Sequence, residues 1–246
     1  MKWRTASIVL VCLVTAAVVP VRGAETSGKV RVLLTYGGHG FEEKPFFAMF
    51  DALPDVTYTK AVMPKDAGLL EPGLRTRCDV LVMYDMSAPI APEQKKAFVA
   101  LLHEGIGVVS LHHNLGAHRD WDEFTKIIGG RFVFGKATLE GKEYKESTWA
   151  HDQQLKIAVA DKTHPITKGL RDFEIHDETY GGYYTASDVH VLLTTDHPQN
   201  GPKVAWTKTY GQSRVFHTML GHDHLAWENP NYPKLLHQAI LWAAGR

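Results

Sequence analysis

The chain has 246 residues, with 27 basic and 27 acidic side chains, 14 histidines and two cysteines. This balance of charge gives no sign that nucleic acid or an anionic membrane is a partner. The length is sufficient for one sizeable core and falls within the range of a single α/β domain.

Residues 1–23 have the pattern of an export signal. Basic residues precede an apolar run at 8–19, which is shorter than a membrane span, and small residues follow Pro20. We therefore expect cleavage after Gly23, a periplasmic or secreted protein, and one domain over residues 24–246. A retained N-terminal anchor is the alternative. Three basic residues lie in the signal, so the exported chain would keep 24 basic and 27 acidic residues.

The cysteine content excludes an intrachain disulfide in the exported chain. Cys12 lies within the predicted signal, so Cys78 would remain alone. Cys78 opens an apolar run at the N-terminal end of a predicted strand, whereas open α/β sheets bind ligands at the opposite strand ends. We therefore expect Cys78 to be structural.

The first half of the chain alternates between strand-like and helix-like segments. Apolar runs of strand length predict strands over residues 29–36, 56–63, 78–84 and the apolar part of 105–116. Apolar residues at helical spacing predict helices over residues 42–53 and from Pro92 onward. Such alternation is typical of βαβ units and a parallel, doubly wound sheet.

The second half has weaker signals. A helix over residues 119–128 should end at Gly129-Gly130, and the polar segment 131–150 is either a hairpin or an excursion over the site. Strands are predicted over residues 155–160, 189–195, 203–210 and 214–220, the last two joined as a hairpin through Gly211-Gln212. The closing helix, 232–244, has one apolar stripe and is interpreted as structural.

Histidines follow three of the apolar strands. These histidines are His39, His112, His113, His222 and His224. A parallel sheet gathers its strand ends along one edge, so these side chains can converge in one crevice. Neighbouring residues on a strand face opposite sides, and we expect His113, which is nearer the turn than His112, to be the one presented.

These imidazoles can transfer protons or bind a borderline divalent metal such as zinc. The predicted metal ligands are His39, His113 and His222. A carboxylate base or ligand would come from Asp177, Glu178 or Asp223. No HExxH motif or thiolate cluster supports the metal, and the alternative for the acidic run is a solvated strand end.

Other histidine chemistry has less support. A Ser-His-Asp triad is disfavoured, because Ser110 lies inside a strand and no GxSxG elbow is present. The histidines without convergent partners are interpreted as structural or surface residues: His103, His118, His151, His190, His197, His217 and His237.

Five motifs together resemble the ThuA-like, or trehalose-utilisation, family. In chain order they are residues 36–41, 110–114, 127–132, 176–180 and 214–224. The resemblance spans nearly all of the exported chain. It implies the flavodoxin-like fold of the class I glutamine amidotransferase-like superfamily: an α/β, doubly wound, mostly parallel sheet with helices on both faces, here with an added C-terminal hairpin.

In the amidotransferases of that superfamily, the elbow after the corresponding strand carries a cysteine nucleophile. The residues at this place are Leu111-His112-His113-Asn114, with neither Cys nor Ser at the turn. Thiolate attack on glutamine lacks its nucleophile, so we expect neither amidotransferase nor cysteine-protease activity.

The family's association with trehalose and keto-sugars implies an exported, carbohydrate-processing enzyme that acts on a disaccharide or keto-glycoside by histidine and carboxylate acid–base chemistry. The candidate catalytic residues are His39, His113, Glu178, His222 and Asp223. The candidate substrate-binding residues are Gly38, His112, Asn114, Trp121, Tyr180 and His224. The alternatives are a metal-dependent hydrolase of another small substrate and a non-catalytic sugar-binding module.

Overall fold

The computed structural model describes residues 28–86 and 89–246, and the predicted export signal lies outside these ranges. The strands are β1 (Val30–Gly37), β2 (Val56–Val62), β3 (Val80–Asp85), β4 (Gly107–Leu111), β5 (Gly130–Arg131), β6 (Ala137–Leu139), β7 (Lys142–Tyr144), β8 (Thr148–Val159), β9 (Phe173–Gly181), β10 (Tyr184–Thr185), β11 (His190–Thr195), β12 (Lys203–Tyr210) and β13 (Ser213–Thr218). The helices are α1 (Glu43–Asp51), α2 (Pro92–His103), α3 (Asp122–Ile128), α4 (His224–Trp227) and α5 (Asn231–Ala243). Short 3₁₀ turns lie at Ala67–Leu69, Leu74–Thr76 and His112–Gly116.

The main sheet is mixed, with strand order β2-β1-β3-β4-β13-β12-β11-β8-β9. Within the described ranges, the pairings from β2 to β13 are parallel and those from β13 to β9 are antiparallel, four of each. The expected α/β class is confirmed. The expected mostly parallel sheet holds for one half only, because antiparallel pairing continues from the predicted β12–β13 hairpin to the far edge.

The parallel half forms where the sequence has continuous apolar runs. β3 and β4 are buried along their whole length, as expected of central strands covered on both faces. α2 starts at Pro92, a residue suited to the first helical turn, and buries Phe98 and Leu101. Gly107 lets α5 pack closely on β4, since a Cβ there would lie 2.5 Å from the carbonyl oxygen of Ala243.

β8 and β9 extend beyond the rest of the sheet as a two-stranded ribbon. β11 pairs with β8 only at residues 157–159, whereas β8 and β9 pair along residues 148–157 and 173–181. In a flat sheet, β9 would lie roughly 24 Å from β4, five strand spacings away. The ribbon nevertheless returns to the carboxyl ends of β4 and β13, where Glu178 contacts His112.

Of the two alternatives for residues 131–150, the hairpin is present, and the excursion over the strand ends is made mainly by the ribbon. Within the segment 131–150, β6 and β7 form a small separate hairpin. The hairpin predicted through Gly211 is confirmed, with Tyr210 paired to Ser213. None of the helices within the described ranges has the length and apolar character that a bilayer crossing needs.

Candidate functional site

His112 occupies the turn directly after β4. Its backbone lies in the left-handed region at φ +46°, which is uncommon for a residue with a Cβ, and such outliers concentrate at functional sites. The imidazole is fully buried, and its Nδ1 donates to the carbonyl oxygen of Met219 at 2.6 Å. Nε2 consequently faces Glu178 Oε2 and Tyr180 Oη, each at 3.0 Å.

Glu178 lies on the ribbon, opposite a β-bulge. The register shifts between Ala150 and Gln153, so that His151 and Asp152 together oppose Glu178. Bulges can re-aim a side chain beside an active site. Here, His151 Nδ1 lies 3.2 Å from Glu178 Oε1, and the carboxylate therefore has an imidazole near each oxygen.

His222 is held in place by a buried carboxylate. The backbone N–H groups of Gly221 and His222 donate to Asp177 at 2.7 and 3.0 Å. This turn places His222 Nδ1 3.2 Å from His112 Nε2 and 3.4 Å from Glu178 Oε2. Among the described residues, His112, Glu178 and His222 are the group whose donor atoms lie close enough to share a metal ion.

The electrostatics of the site couple His112 to Glu178. Burial opposes protonation of His112, but the Glu178 hydrogen bond and the charges of Asp177 and Glu178 outweigh it and raise the pKa of His112. Burial acts to raise the pKa of Glu178, but the hydrogen bond and charge of His112 lower it overall. Burial raises the pKa of Asp177 to about 6. Burial and then the His112 charge lower the pKa of His222. These directions favour the charged forms of His112 and Glu178 and the neutral form of His222.

A cavity of about 200 Å³ opens beside this group. It is lined by His39, Met86, His113, Gly116, Phe132, Phe134, Trp149, His151, Glu178 and Tyr180. Aromatic walls with a few convergent polar groups are typical of small-molecule sites. A larger, mostly apolar groove of about 400 Å³ between α1 and α5 shares none of these residues.

His113 pairs with His39 on the cavity wall. The two rings stack with their centroids 4.8 Å apart, and His113 Nε2 donates to the carbonyl oxygen of Tyr84 at 2.6 Å. Burial, together with the neighbouring charges of His112 and His39, holds the pKa of His113 well below its usual range. The predicted metal set of His39, His113 and His222 is therefore not the set that the structure brings together. His112 takes the place of His113, because the left-handed turn sends His112 toward the ribbon.

Asn114 belongs to a buried hydrogen-bond chain behind the site. Asn114 Nδ2 donates to the carbonyl oxygen of Asp85 at 2.8 Å, and Asn114 Oδ1 accepts from Ser110 Oγ at 2.7 Å. Ser110 Oγ accepts in turn from His217 Nδ1 at 2.9 Å. Burial, with a smaller effect of the His112 charge, lowers the pKa of His217 to about 3. The expected role of Asn114 in substrate binding is not supported, since its amide is buried and already bonded.

Four further candidates do not line the cavity. Trp121 packs against aromatic rings of α2 and α3. Asp223 accepts backbone N–H groups at the first turn of α4. His224 Nδ1 lies 2.8 Å from Glu42 Oε2, and Gly38 is exposed in the turn after β1. The structure therefore does not bring these four candidates to the cavity, and the proposed function does not use them.

Two cavity residues were missed from the sequence: Trp149, which was not singled out, and His151, which was interpreted as a structural or surface residue. Trp149 and His151 are two positions apart on β8, a spacing that puts both on one face of a strand, and their rings lie 4.8 Å apart. This two-residue spacing is the sequence feature that could have identified the pair. It has that meaning only when the strand is known to begin at Thr148. Cys78, by contrast, is buried at the opposite end of the sheet, where burial raises the pKa of its thiol to about 11.

Comparisons with known proteins identify the family and the fold. The family model ThuA, described as trehalose utilisation, matches residues 19–243. The chain is similar to a ThuA-like protein from Parabacteroides merdae, with 22% identity, a TM-score of 0.73, and coverage of 88% of this chain and 90% of that one. It is also similar to one from Bacteroides uniformis, with 20% identity, a TM-score of 0.66, and coverage of 92% of this chain and 95% of that one.

A β-galactosidase from Bacillus circulans sp. alkalophilus shares the fold over 89% of this chain and 31% of that one, with 12% identity and a TM-score of 0.57. The curated proteins contain no match. The chain therefore belongs to the ThuA, or trehalose utilisation, family.

Proposed function

We propose that the chain is an exported enzyme that acts on a disaccharide or keto-glycoside by histidine and carboxylate acid–base chemistry. Its family suggests a role in trehalose utilisation and, more broadly, in carbohydrate metabolism. The main support for the proposal is the position of Glu178, a carboxylate with imidazoles near both oxygens at the edge of an aromatic cavity. Titratable groups held together in a partly dry cleft are what proton transfer requires.

His151 is the imidazole best placed to exchange a proton with a bound sugar. Its side chain is 47% exposed and lines the cavity, whereas that of His112 is fully buried. Glu178 Oε1, 3.2 Å from His151 Nδ1, favours the tautomer with its proton on Nδ1. Nε2 then accepts a proton, and Glu178 orients the ring and stabilises the imidazolium that forms.

A keto-glycoside suits this arrangement. The carbon next to a ketone has an acidic C–H, and its removal places negative charge on the ketone oxygen. The hydroxyl of Tyr180, which lines the cavity, provides a hydrogen-bond donor for that oxygen. His39 and His113 line the wall and can hydrogen-bond to sugar hydroxyl groups.

The remaining walls suit a sugar ring. Phe132, Phe134 and Trp149 line the cavity, and Trp149 is 59% exposed. Aromatic faces pack well on the C–H faces of a pyranose, while polar groups on one side engage its hydroxyls. The cavity has both kinds of surface.

The test incubates the purified chain, without residues 1–23, with trehalose and with 3-keto-disaccharides, and follows products by NMR. The variant H151N should lower kcat/KM by at least about 100-fold. The control H190N removes a histidine 2.9 Å from Asp161, outside the cavity, and should keep the wild-type rate. No turnover of any sugar would contradict the proposal, and saturable calorimetric binding without product would support a sugar-binding module instead.

Export is tested separately. Residues 1–23 fused to a phosphatase that is active only outside the cytoplasm should give activity, because the segment has the charge and length of a signal. Replacing the apolar run with polar residues is the control. Phosphatase that stays inactive with the unaltered segment would contradict export.

A further inference from the structure

We propose that His112, Glu178 and His222 bind one divalent transition-metal ion, with zinc as the first candidate. Their donor atoms, His112 Nε2, Glu178 Oε2 and His222 Nδ1, form a triangle with edges of 3.0, 3.2 and 3.4 Å. Tetrahedral zinc binds nitrogen and oxygen at about 2.0–2.1 Å, which separates neighbouring ligand atoms by about 3.3 Å. The triangle therefore has the size of one face of a zinc site without any side-chain movement.

The donor set selects the class of ion. Two imidazoles with one carboxylate are the ligands of several catalytic zinc sites, whereas magnesium and calcium prefer oxygen ligands throughout. His112 can coordinate through Nε2, because the Met219 carbonyl holds the proton of its ring on Nδ1. This contact is the usual second interaction of a metal-binding histidine.

Other groups hold the remaining ligands in position. Asp177 accepts the backbone N–H of His222, which fixes the turn that carries this imidazole. Glu178 supplies only Oε2 to the triangle, and its Oε1 stays beside His151. A metal ion and His151 can therefore occupy the two sides of the same carboxylate.

A shared proton accounts for only part of this geometry. An imidazolium–glutamate pair satisfies His112 and Glu178, but it leaves His222 Nδ1 3.2 Å from the same His112 nitrogen. Both imidazoles then compete for a single carboxylate oxygen, 3.0 and 3.4 Å away. One divalent cation satisfies all three donors at once.

Three protein ligands leave a fourth coordination position, as in catalytic zinc sites. Of the three ligands, Glu178 lines the cavity, and from that side a water molecule or an oxygen of the bound substrate can take the fourth position. The assignment rests on the proposed function only in naming that oxygen as the ketone or hydroxyl of a sugar. Metal binding by the three residues is tested without substrate.

The test uses the untagged chain without residues 1–23, purified without added metal. Elemental mass spectrometry should find about one divalent transition-metal ion per chain. After chelation, calorimetric titration with Zn²⁺ should show one site, and H222A should weaken it by more than about 100-fold. The matched control H190A removes a histidine that also faces a carboxylate, Asp161 at 2.9 Å, and should bind zinc as the wild type does.

A Co²⁺ titration provides a second readout, since the visible absorption of tetrahedral cobalt reports the ligand geometry. The absorption should form in the wild type and H190A and be lost in H222A, whose fold is checked by circular dichroism. A wild type that binds neither Zn²⁺ nor Co²⁺, or an H222A variant that binds as tightly as the wild type, overturns the assignment. Sugar turnover by a chain unable to bind metal would overturn the metal site alone, whereas a metal-loaded chain inert toward every sugar would overturn the proposed function alone.

Discussion

His217 should make the folded chain less stable in mild acid. Its imidazole is fully buried, and Nε2 has no hydrogen-bond partner in the described part of the chain. Burial lowers the pKa of His217 to about 3, from 6.5 in the unfolded chain. Between these values the unfolded state binds more protons, so the free energy of unfolding decreases as the pH falls. From pH 8 to pH 5, this one group should remove about 2 kcal/mol.

The substitution His217→Asn isolates this contribution. An asparagine amide can keep the hydrogen bond to Ser110 but does not titrate. Urea unfolding of both proteins at pH 8 and pH 5 should show a loss of stability in the wild type that exceeds the loss in the variant by about 2 kcal/mol. Uniform destabilisation by the smaller side chain cancels in this comparison. The same pH dependence in both proteins would refute the reasoning.

The other predictions concern the turn, the cavity wall and the metal ligands. Gly221→Ala should lower the free energy of unfolding in urea by more than about 2 kcal/mol, because the backbone at φ +111° disfavours a Cβ, which would also overlap Tyr232 Oη. Trp149→Ala should raise KM for the sugar substrate about tenfold while changing stability by less than about 0.5 kcal/mol, since the ring is largely exposed. Asp177→Asn should weaken Zn²⁺ binding by about 10–100-fold in calorimetry, because the carboxylate holds the His222 turn.

Two of these predictions have a control variant in the chain, and the third has a contradicting outcome. Gly68→Ala places a Cβ with no atom within 4 Å, and a stability loss as large as that of Gly221→Ala would argue against steric strain. Trp121→Ala removes an indole outside the cavity and should leave KM unchanged, so a shared effect would disconnect Trp149 from sugar binding. Wild-type zinc affinity in Asp177→Asn would show that the turn holds its shape without the carboxylate.

The parallel half of the fold could be predicted because its signals are local. β3 and β4 coincide with continuous apolar runs, and α1 and α5 with apolar stripes of helical period. The turn at Gly211 lies between two strands that pair with each other. In each case the information is contained in about a dozen neighbouring residues.

The ribbon could not be predicted, because its structure depends on distant pairing. The first seven residues of β8 are exposed or half-buried and show no clear alternation, so only its buried end from Leu155 indicated a strand. Its partner β9 carries an acidic run, which is equally typical of a solvated strand end. The role of His151 depends further on a bulge at which Asp152 has φ +58°, and a single Asp in the sequence does not by itself predict a bulge.

The exchange of His113 for His112 has a simpler cause. His113 lines the cavity, as expected, and the difference concerns only the group that can share a metal ion, which contains His112. The chain leaves the extended region at His112, with φ +46°. His112 therefore reaches Glu178, and His113 reaches His39.

The ribbon also separates the carboxylate from the imidazoles in a way that matters for engineering. His112 and His222 belong to turns of the central strands, whereas Glu178 belongs to a ribbon that pairs with β11 only at residues 157–159. Adding or removing two residues in each ribbon strand would keep the facing of the side chains and move the carboxylate by roughly 7 Å. The ribbon thus sets the distance between acid and imidazole and, through Asp177, also the turn that carries His222.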